Sequence, residues 1–274
     1  MSERAKVACS FSGHNGDILW SLPTAQEIAK QHGPVDFYIM PAYKNLIPLL
    51  ELQPYISNAY ALKEWICTGS PYGDQPWEAP IDTSLYEKVY HLTYRAHPGI
   101  GAPAMQLADF IAHHQGIALS LPVVPFIIEM PLRRGLPVDS VCYAFNPDCQ
   151  DKKYEFWSEL KASGVEFINV GDEPWVTAAE LISSVGIFVG DRSACWVLAM
   201  GLGVQTITYE PNPSRHAGGQ FGKVFGCSYG KEWPIWDIGQ SPQQAARTAK
   251  SLLDGFRQSQ QLDAYVAEQV ANHI

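Results

Sequence analysis

The chain has 274 residues, enough for one large domain or for two of ordinary size. Hydrophobic residues make up 46% of it and charged residues 17%, a balance that supports a sizeable core and excludes global disorder. The formal charge of −9 argues against a surface that tracks nucleic-acid phosphates, and no nucleic-acid-binding motif occurs, so nucleic acid is not expected as a partner.

Targeting and metal signals are weak throughout the chain. No apolar run is long enough to cross a bilayer, and the N-terminus lacks the basic-then-apolar order of a secretory signal, so we expect a cytoplasmic protein without a transmembrane segment. The six cysteines form no Cys-x-x-Cys pair and no tight cluster. They are therefore interpreted as reduced thiols and not as a disulfide framework or a zinc site.

The first half of the chain alternates predicted strands and helices. Strands are predicted over 7–11, 35–40, 59–62 and 88–93, and helices over 23–32, 43–50 and 103–114. The stretch 67–83, rich in Gly, Pro and Asp, is predicted to be irregular. Repeated β–α units of this kind indicate a mostly parallel sheet with helices on both faces.

The second half resumes the alternation after a proline-rich passage, 121–137, which is the best candidate for an interdomain linker. Strands are predicted over 140–145, 165–170, 186–189 and 206–209, and helices over 152–162, 177–184, 194–201, 243–258 and 262–273. The fold class is thus α/β, with two Rossmann-like domains, 1–130 and 131–274, facing a central cleft. Ligands of open α/β sheets bind in such clefts.

A glycine-rich segment follows the first strand and contains Gly13, Gly16 and the carboxylate of Asp17. Glycines there allow backbone torsions and close approaches that a side chain would block. The helix that follows would direct free N–H groups toward a ligand, favouring an anion. Two interpretations stay open at this point, because Asp17 could serve a ligand site or simply cap its helix.

Two sequence blocks together resemble the heptosyltransferase-type glycosyltransferases, glycosyltransferase family 9. The block Gly16-Asp17-Ile18-Leu19-Trp20-Ser21-Leu22-Pro23 is similar to the family's GDxLxxLP opening. The block running from Leu181 through Val189-Gly190-Asp191-Arg192-Ser193 to Val204 is similar to its LIxxAxxFxGxDSGxxHLAxALGVPT passage. Their order and spacing agree over most of the chain, and the resemblance implies a GT-B fold.

The chain departs from the family pattern in the second block. Arg192 stands where the family usually has Asp, Ala194 replaces a glycine, and Val197 replaces a histidine. The chain is also shorter than typical members. These departures favour the alternative that the protein is a catalytically inactive, GT-B-type module that binds a nucleotide or nucleotide sugar.

The resemblance implies a metal-independent, inverting glycosyltransferase that moves a sugar from a nucleotide-diphosphate donor to a glycan or other hydroxyl acceptor. It makes Asp17 the candidate base and calls for no cofactor and no metal, and the absence of an Asp-x-Asp motif agrees with a metal-free site. It also leaves open a peripheral association with the inner membrane. The candidate donor-binding residues are Lys152, Lys153, Glu173, Gly190, Asp191, Arg192 and Ser193, and the candidate acceptor- or phosphate-binding residues are Gly13, His14, Asn15, Gly16 and Arg215.

Each of these candidates has an ordinary structural alternative. Arg192 could be a solvated arginine at a helix start, and Lys152 and Lys153 could be surface lysines. Glu173 follows a predicted strand, where an acidic residue can bind a ribose diol. His14 could equally be a loop histidine without a ligand. An unrelated Rossmann-type enzyme is the third interpretation, but the dinucleotide fingerprint Gly-x-Gly-x-x-Gly is missing.

Overall fold

The computed structural model describes residues 5–65, 78–93, 107–119, 140–144, 167–185, 187–190 and 193–208, together with residues 250, 251, 254, 255 and 258. They form two four-stranded sheets in which every pairing is parallel. The α/β class predicted from the sequence is confirmed. The domain boundaries 1–130 and 131–274 stay a prediction, because the linker 121–137 lies outside the described residues.

The first sheet has the order β3-β2-β1-β4. Its strands are β1 (Val7–Phe11), β2 (Val35–Ile39), β3 (Ile56–Ala61) and β4 (Lys88–Leu92). All residues of β1 and β2 are buried, which is typical of central parallel strands covered on both faces. The connecting helices are α1 (Asn15–His32), the 3-10 helix Pro41–Leu46, α2 (Ile47–Glu51), the 3-10 helix Thr83–Leu85 and α3 (Leu107–His114).

The second sheet has the order β6-β5-β7-β8. Its strands are β5 (Val141–Ala144), β6 (Phe167–Asn169), β7 (Ile187–Gly190) and β8 (Gln205–Thr208). Two helices are described beside it, α4 (Trp175–Ser183) and α5 (Ala194–Gly201). The predicted helices 152–162 and 262–273 lie outside the described residues, and the five described residues between 250 and 258 are helical.

The largest error of the sequence prediction concerns the start of α1. The helix was expected from residue 23 but begins at Asn15, and Pro23 is buried inside it. An internal proline costs a helix about 3 kcal/mol. Burial of Ile18, Leu19 and Leu22 outweighs that cost, since each such side chain contributes roughly 1.5–3 kcal/mol. Gly16 and Asp17 therefore belong to the first turn of a helix and not to a loop before it.

Other boundaries differ by smaller amounts. The strand expected at residue 59 begins at Ile56, and the helix expected over 43–50 divides into the 3-10 helix Pro41–Leu46 and α2. Pro48 explains part of this division, because a proline cannot donate the backbone hydrogen bond that would continue a helix from the preceding turn.

Helices α1 and α5 bring residues of the two sheets into one hydrophobic cluster. The cluster includes Phe11 and Trp20 from the first half and Phe188 and Trp196 from the second. The rings of Trp20 and Trp196 meet edge to face, 6.1 Å apart. Their contact attaches α1 to α5.

Candidate functional site

Gly13 leads from β1 into α1 and is buried. A β-carbon added at Gly13 would collide with the ring of Phe11 and would lie 2.7 Å from Cβ of Asp17. Positive φ angles occur at Gly33, Gly116 and Gly203 among the described glycines, and Gly13 and Gly16 are not among them. The expected close approach is therefore confirmed for Gly13, whereas the expected special torsions are wrong.

Asp17 caps helix α1. His14 is the N-cap residue and forms a capping box with Asp17, three residues later. Its backbone N–H donates to Oδ2 of Asp17 over 3.1 Å. The capping interpretation of Asp17 is thus observed. This capping bond leaves the carboxylate able to accept further hydrogen bonds, because an ionised carboxylate offers about four acceptor positions on two oxygens.

The starts of α1 and α5 meet at Gly16. A β-carbon on Gly16 would lie 3.4 Å from Cα of Ala194 and 3.8 Å from its backbone nitrogen. Asp17 follows Gly16 and Ser193 precedes Ala194, so the two sequence blocks that carry the family resemblance converge at this contact. A larger side chain at position 16 would separate the two helix ends.

Two buried polar atoms at this contact lack hydrogen-bond partners among the described residues. They are Oδ1 of Asn15, in the first turn of α1, and Oγ of Ser193, the N-cap residue of α5. Ser193 makes no side-chain capping bond, and the first turn of α5 contains no acidic residue. Among the described residues, none therefore gives the N-terminus of α5 the compensation that Asp17 gives to α1.

The remaining candidate residues are placed only in part. Gly190 ends β7 opposite Ala144, and a side chain there would collide with the carbonyl oxygen of Ala144 and approach the ring of Phe188 to 2.9 Å. Glu173 is exposed in the turn after the edge strand β6. Outside the described residues lie Lys152, Lys153, Asp191, Arg192 and Arg215.

Tyr43 belongs to the site but was not identified from the sequence. Its hydroxyl lies 2.9 Å from Nδ1 of His14, and the two rings meet edge to face at 5.6 Å. The contact spans 29 positions of the chain, and an isolated tyrosine in a predicted helix carries no signal for it.

His91 forms a second polar contact, at the end of β4. Its Nδ1 lies 2.9 Å from Oγ of the buried Ser10 and accepts the backbone N–H of Ala79 over 3.3 Å. Burial lowers the pKa of His91, and the nearby carboxylate of Glu78 partly opposes this shift. No metal-ligand role was predicted for His91, and within the described ranges no group of three or more His, Cys, Asp and Glu residues could hold a metal ion.

Searches for related proteins gave structural matches only. No family model and no curated protein matches this sequence. A glycosyltransferase family 9 protein from Veillonella parvula DSM 2008 aligns at 12% identity over 92% of this chain and 98% of its own, with a TM-score of 0.53. TibC from enterotoxigenic E. coli H10407, described as an iron-containing dodecameric glycosyltransferase, aligns at 16% identity over 75% of this chain, with a TM-score of 0.50.

A second TibC structure, described as a heptosyltransferase in complex with ADP-D-beta-D-heptose, aligns at 17% identity over 76% of this chain, with a TM-score of 0.52. The chain spans 58% of the length of TibC.

No helix among the described residues is long and apolar enough to cross a membrane. The family resemblance seen in the motifs is thus matched in three dimensions, and the chain has the fold of the heptosyltransferase-like glycosyltransferases of family 9.

Proposed function

We propose that the protein is a metal-independent, inverting glycosyltransferase that moves a sugar from a nucleotide-diphosphate donor to a hydroxyl acceptor. The observation that carries the proposal is the convergence of the starts of α1 and α5 beside Asp17. It supports the proposal because the candidate base Asp17 follows Gly16 and the candidate anion site begins at Ser193, before Ala194, and sugar transfer requires both a base and stabilisation of the leaving group.

The diphosphate of the donor is assigned to the start of α5. A helix N-terminus carries partial positive charge and free N–H groups, which bind phosphate readily. Neither a side-chain cap nor an acidic residue compensates the first turn of α5, and Oγ of Ser193 is buried there without a described partner. A diphosphate would satisfy both the N–H groups and this hydroxyl.

Further donor contacts follow from the family resemblance. Gly190 precedes this helix start, and the space that a side chain would need there is filled by the carbonyl oxygen of Ala144 and the ring of Phe188. Asp191 and Arg192 adjoin Ser193 in sequence, and Lys152, Lys153 and Glu173 complete the proposed donor set. An arginine at position 192 would add a charge-assisted hydrogen bond to the diphosphate.

Asp17 is the proposed general base. Its carboxylate would take the proton of the acceptor hydroxyl, whose oxygen then attacks the anomeric carbon. The bond from that carbon to the diphosphate breaks, and the nucleoside diphosphate leaves with the bonding electrons. Gly13, His14, Asn15, Gly16 and Arg215 are the proposed contacts of the acceptor or of phosphate.

The donor class is tested first, by thermal-shift measurements with ADP-, GDP-, UDP- and CMP-sugars, each with and without EDTA. A ligand that binds the native state raises the melting temperature by mass action. We expect one nucleotide family to stabilise the protein equally in both conditions. Loss of the shift in EDTA would contradict metal independence, a point that matters because TibC is described as iron-containing.

The role of Asp17 is tested by Asp17→Asn. The side-chain oxygen of asparagine can still accept the N–H of His14, so the cap is retained while the base is lost. With the donor identified by the screen, we expect turnover to fall by about 10²–10⁴-fold, the usual contribution of a general base. Donor affinity and melting temperature should stay close to wild type.

Asp82→Asn is the matched control, because Asp82 also caps a helix start, accepting the N–H of Ser84 over 3.0 Å at Thr83–Leu85. This control should keep full turnover.

A nucleotide-sugar-binding module without activity is the second candidate function. This second candidate is favoured by the hydrogen bond between Asp17 and the N–H of His14, because it gives Asp17 a structural role as a helix cap. Unchanged donor binding together with no turnover in the wild-type protein would support the module. Equal turnover of wild type and Asp17→Asn would show that Asp17 is structural.

A further inference from the structure

Helix α1 carries two buried oxygens without hydrogen-bond partners among the described residues. They are Oδ1 of Asn15 and Oγ1 of Thr24. Buried polar groups in proteins are nearly always paired, because an unpaired group has lost its hydrogen bonds to water and gained nothing in return. Each of these oxygens therefore lowers the stability of the free protein, and a ligand is one partner that the free chain does not supply.

The two oxygens differ in how close they lie to the candidate site. Asn15 belongs to the first turn of α1 and precedes Gly16, which packs closely against Ala194 at the start of α5. As a whole residue, Asn15 is only partly buried, whereas Thr24 is fully buried in the interior of the helix. Asn15 thus borders the proposed site, and Thr24 belongs to the core.

The hydrogen-bonding chemistry of Asn15 differs from that of Ser193, the other residue with a partnerless oxygen at this contact. A serine hydroxyl can donate, so Oγ of Ser193 suits the unprotonated oxygens of a diphosphate. An amide oxygen only accepts, so Oδ1 of Asn15 cannot bind such an oxygen and needs a group that carries a proton. The transferred sugar of a nucleotide sugar offers such groups in its hydroxyls.

We propose that Asn15 is a specificity-determining residue whose Oδ1 accepts a hydrogen bond from a hydroxyl of the transferred sugar. The inference rests on the proposed transferase function and moves Asn15 from the wider set of acceptor or phosphate contacts to the sugar of the donor. In that function the sugar lies between the diphosphate at Ser193 and the attacking oxygen at Asp17. Asn15 is two residues before Asp17 and adjoins Gly16, where the two helix starts meet.

The cost to the free protein is tested by Asn15→Leu, since leucine keeps the branched shape of asparagine without its oxygen. Removal of a buried acceptor that has no partner should leave the melting temperature unchanged or raise it. Thr24→Val is the matched control, because it removes the other partnerless oxygen of α1 and keeps the shape of the side chain. A melting temperature several degrees lower in Asn15→Leu would show that the oxygen has a partner within the protein, such as a buried water, and would overturn the proposal.

Binding is measured by calorimetry with ADP-, GDP- and UDP-glucose, each beside its sugar-free diphosphate. We expect Asn15→Leu to weaken the binding of one nucleotide sugar by about three- to tenfold, the factor for one ordinary hydrogen bond, and to leave the affinity for the matching diphosphate unchanged. Thr24→Val should bind both compounds as the wild-type protein does. Equal weakening of both compounds in Asn15→Leu would place Oδ1 on the ribose, the base or the phosphate, and it would overturn the assignment, as would unchanged affinity for both.

Free sugars separate a failure of this inference from a failure of the transferase function. If none of the nucleotides binds, glucose, mannose and galactose are titrated against the same proteins by saturation-transfer NMR. Sugar binding that is weakened in Asn15→Leu and retained in Thr24→Val would sustain the hydroxyl site of Asn15 while the transferase function fails. Sugar binding that is absent, or that is equal in wild type and Asn15→Leu, would overturn the inference as well.

Discussion

Gly13 matters for the position of Asp17 because it has no side chain, and not because it adopts a special backbone torsion. The volume that a side chain would need is taken by the ring of Phe11 and by Cβ of Asp17. Phe11 is 2% exposed and belongs to the core, so it cannot move away at low cost. The carboxylate is consequently held between a rigid strand end and its own helix.

Gly13→Ala should therefore affect both stability and turnover. Overpacking of this kind costs typically about 1–3 kcal/mol, and the displaced partner would be Asp17 itself. Denaturant titration and a turnover assay measure the two effects. Gly33→Ala is the control, because Gly33 has φ +82° and open space around it, so an alanine there strains the backbone far from Asp17. A fully active Gly13→Ala protein would contradict this account.

The motifs single out Asp17 and Ser193 as candidates from the sequence alone. In the structure these two residues adjoin Gly16 and Ala194, where the starts of α1 and α5 meet, and their roles stay a prediction. Tyr43 could not be found in this way, because its partner is 29 residues distant and depends on where the 3-10 helix places the ring.

Segment 78–87 is attached to the first sheet by polar contacts that include one near each of its ends. Tyr86 donates its hydroxyl to Oδ2 of the buried Asp36 over 2.8 Å, and Asn58 donates to Oδ1 of the same carboxylate. At the other end, the N–H of Ala79 donates to Nδ1 of His91. The second contact requires an unprotonated nitrogen, so it links the attachment of this segment to pH.

Stability should fall as the pH is lowered through the range of His91. Because burial lowers its pKa in the folded state, the unfolded chain binds the proton first, and the contribution of His91 is present above its ordinary value of 6.5 and lost below it. His91→Asn offers an acceptor oxygen that does not titrate. We expect a smaller loss of unfolding free energy between pH 7.5 and about 5 in this variant, measured by urea titration. Identical pH profiles would contradict the link.

The two sheets should unfold together, because one hydrophobic cluster contains residues of both. Urea unfolding followed by far-UV circular dichroism and by tryptophan fluorescence should give coincident transitions. Trp196→Ala should lower the free energy of unfolding that each of the two probes reports by about 3–5 kcal/mol, the usual cost of removing a buried tryptophan side chain. Trp175→Ala, a partly buried position on α4, should cost less. Two separate transitions would show that the halves fold independently.

The sequence by itself determined the α/β class and the order in which most strands follow one another along the chain. Apolar runs such as those of β1 and β2 report burial on both faces, a local property that needs no knowledge of neighbours. The helix 194–201 was also predicted with its observed limits, since its residues are almost all apolar and no proline interrupts them.

Only the tertiary structure decided where α1 begins and what its first turn touches. Local propensity placed the helix start at Pro23, but the burial of Ile18, Leu19 and Trp20 against distant residues extends it to Asn15. The approach of Gly16 to Ala194 and of Tyr43 to His14 likewise depends on how separate elements pack. Such contacts join residues far apart in the chain, and no short-range pattern in the sequence reports them.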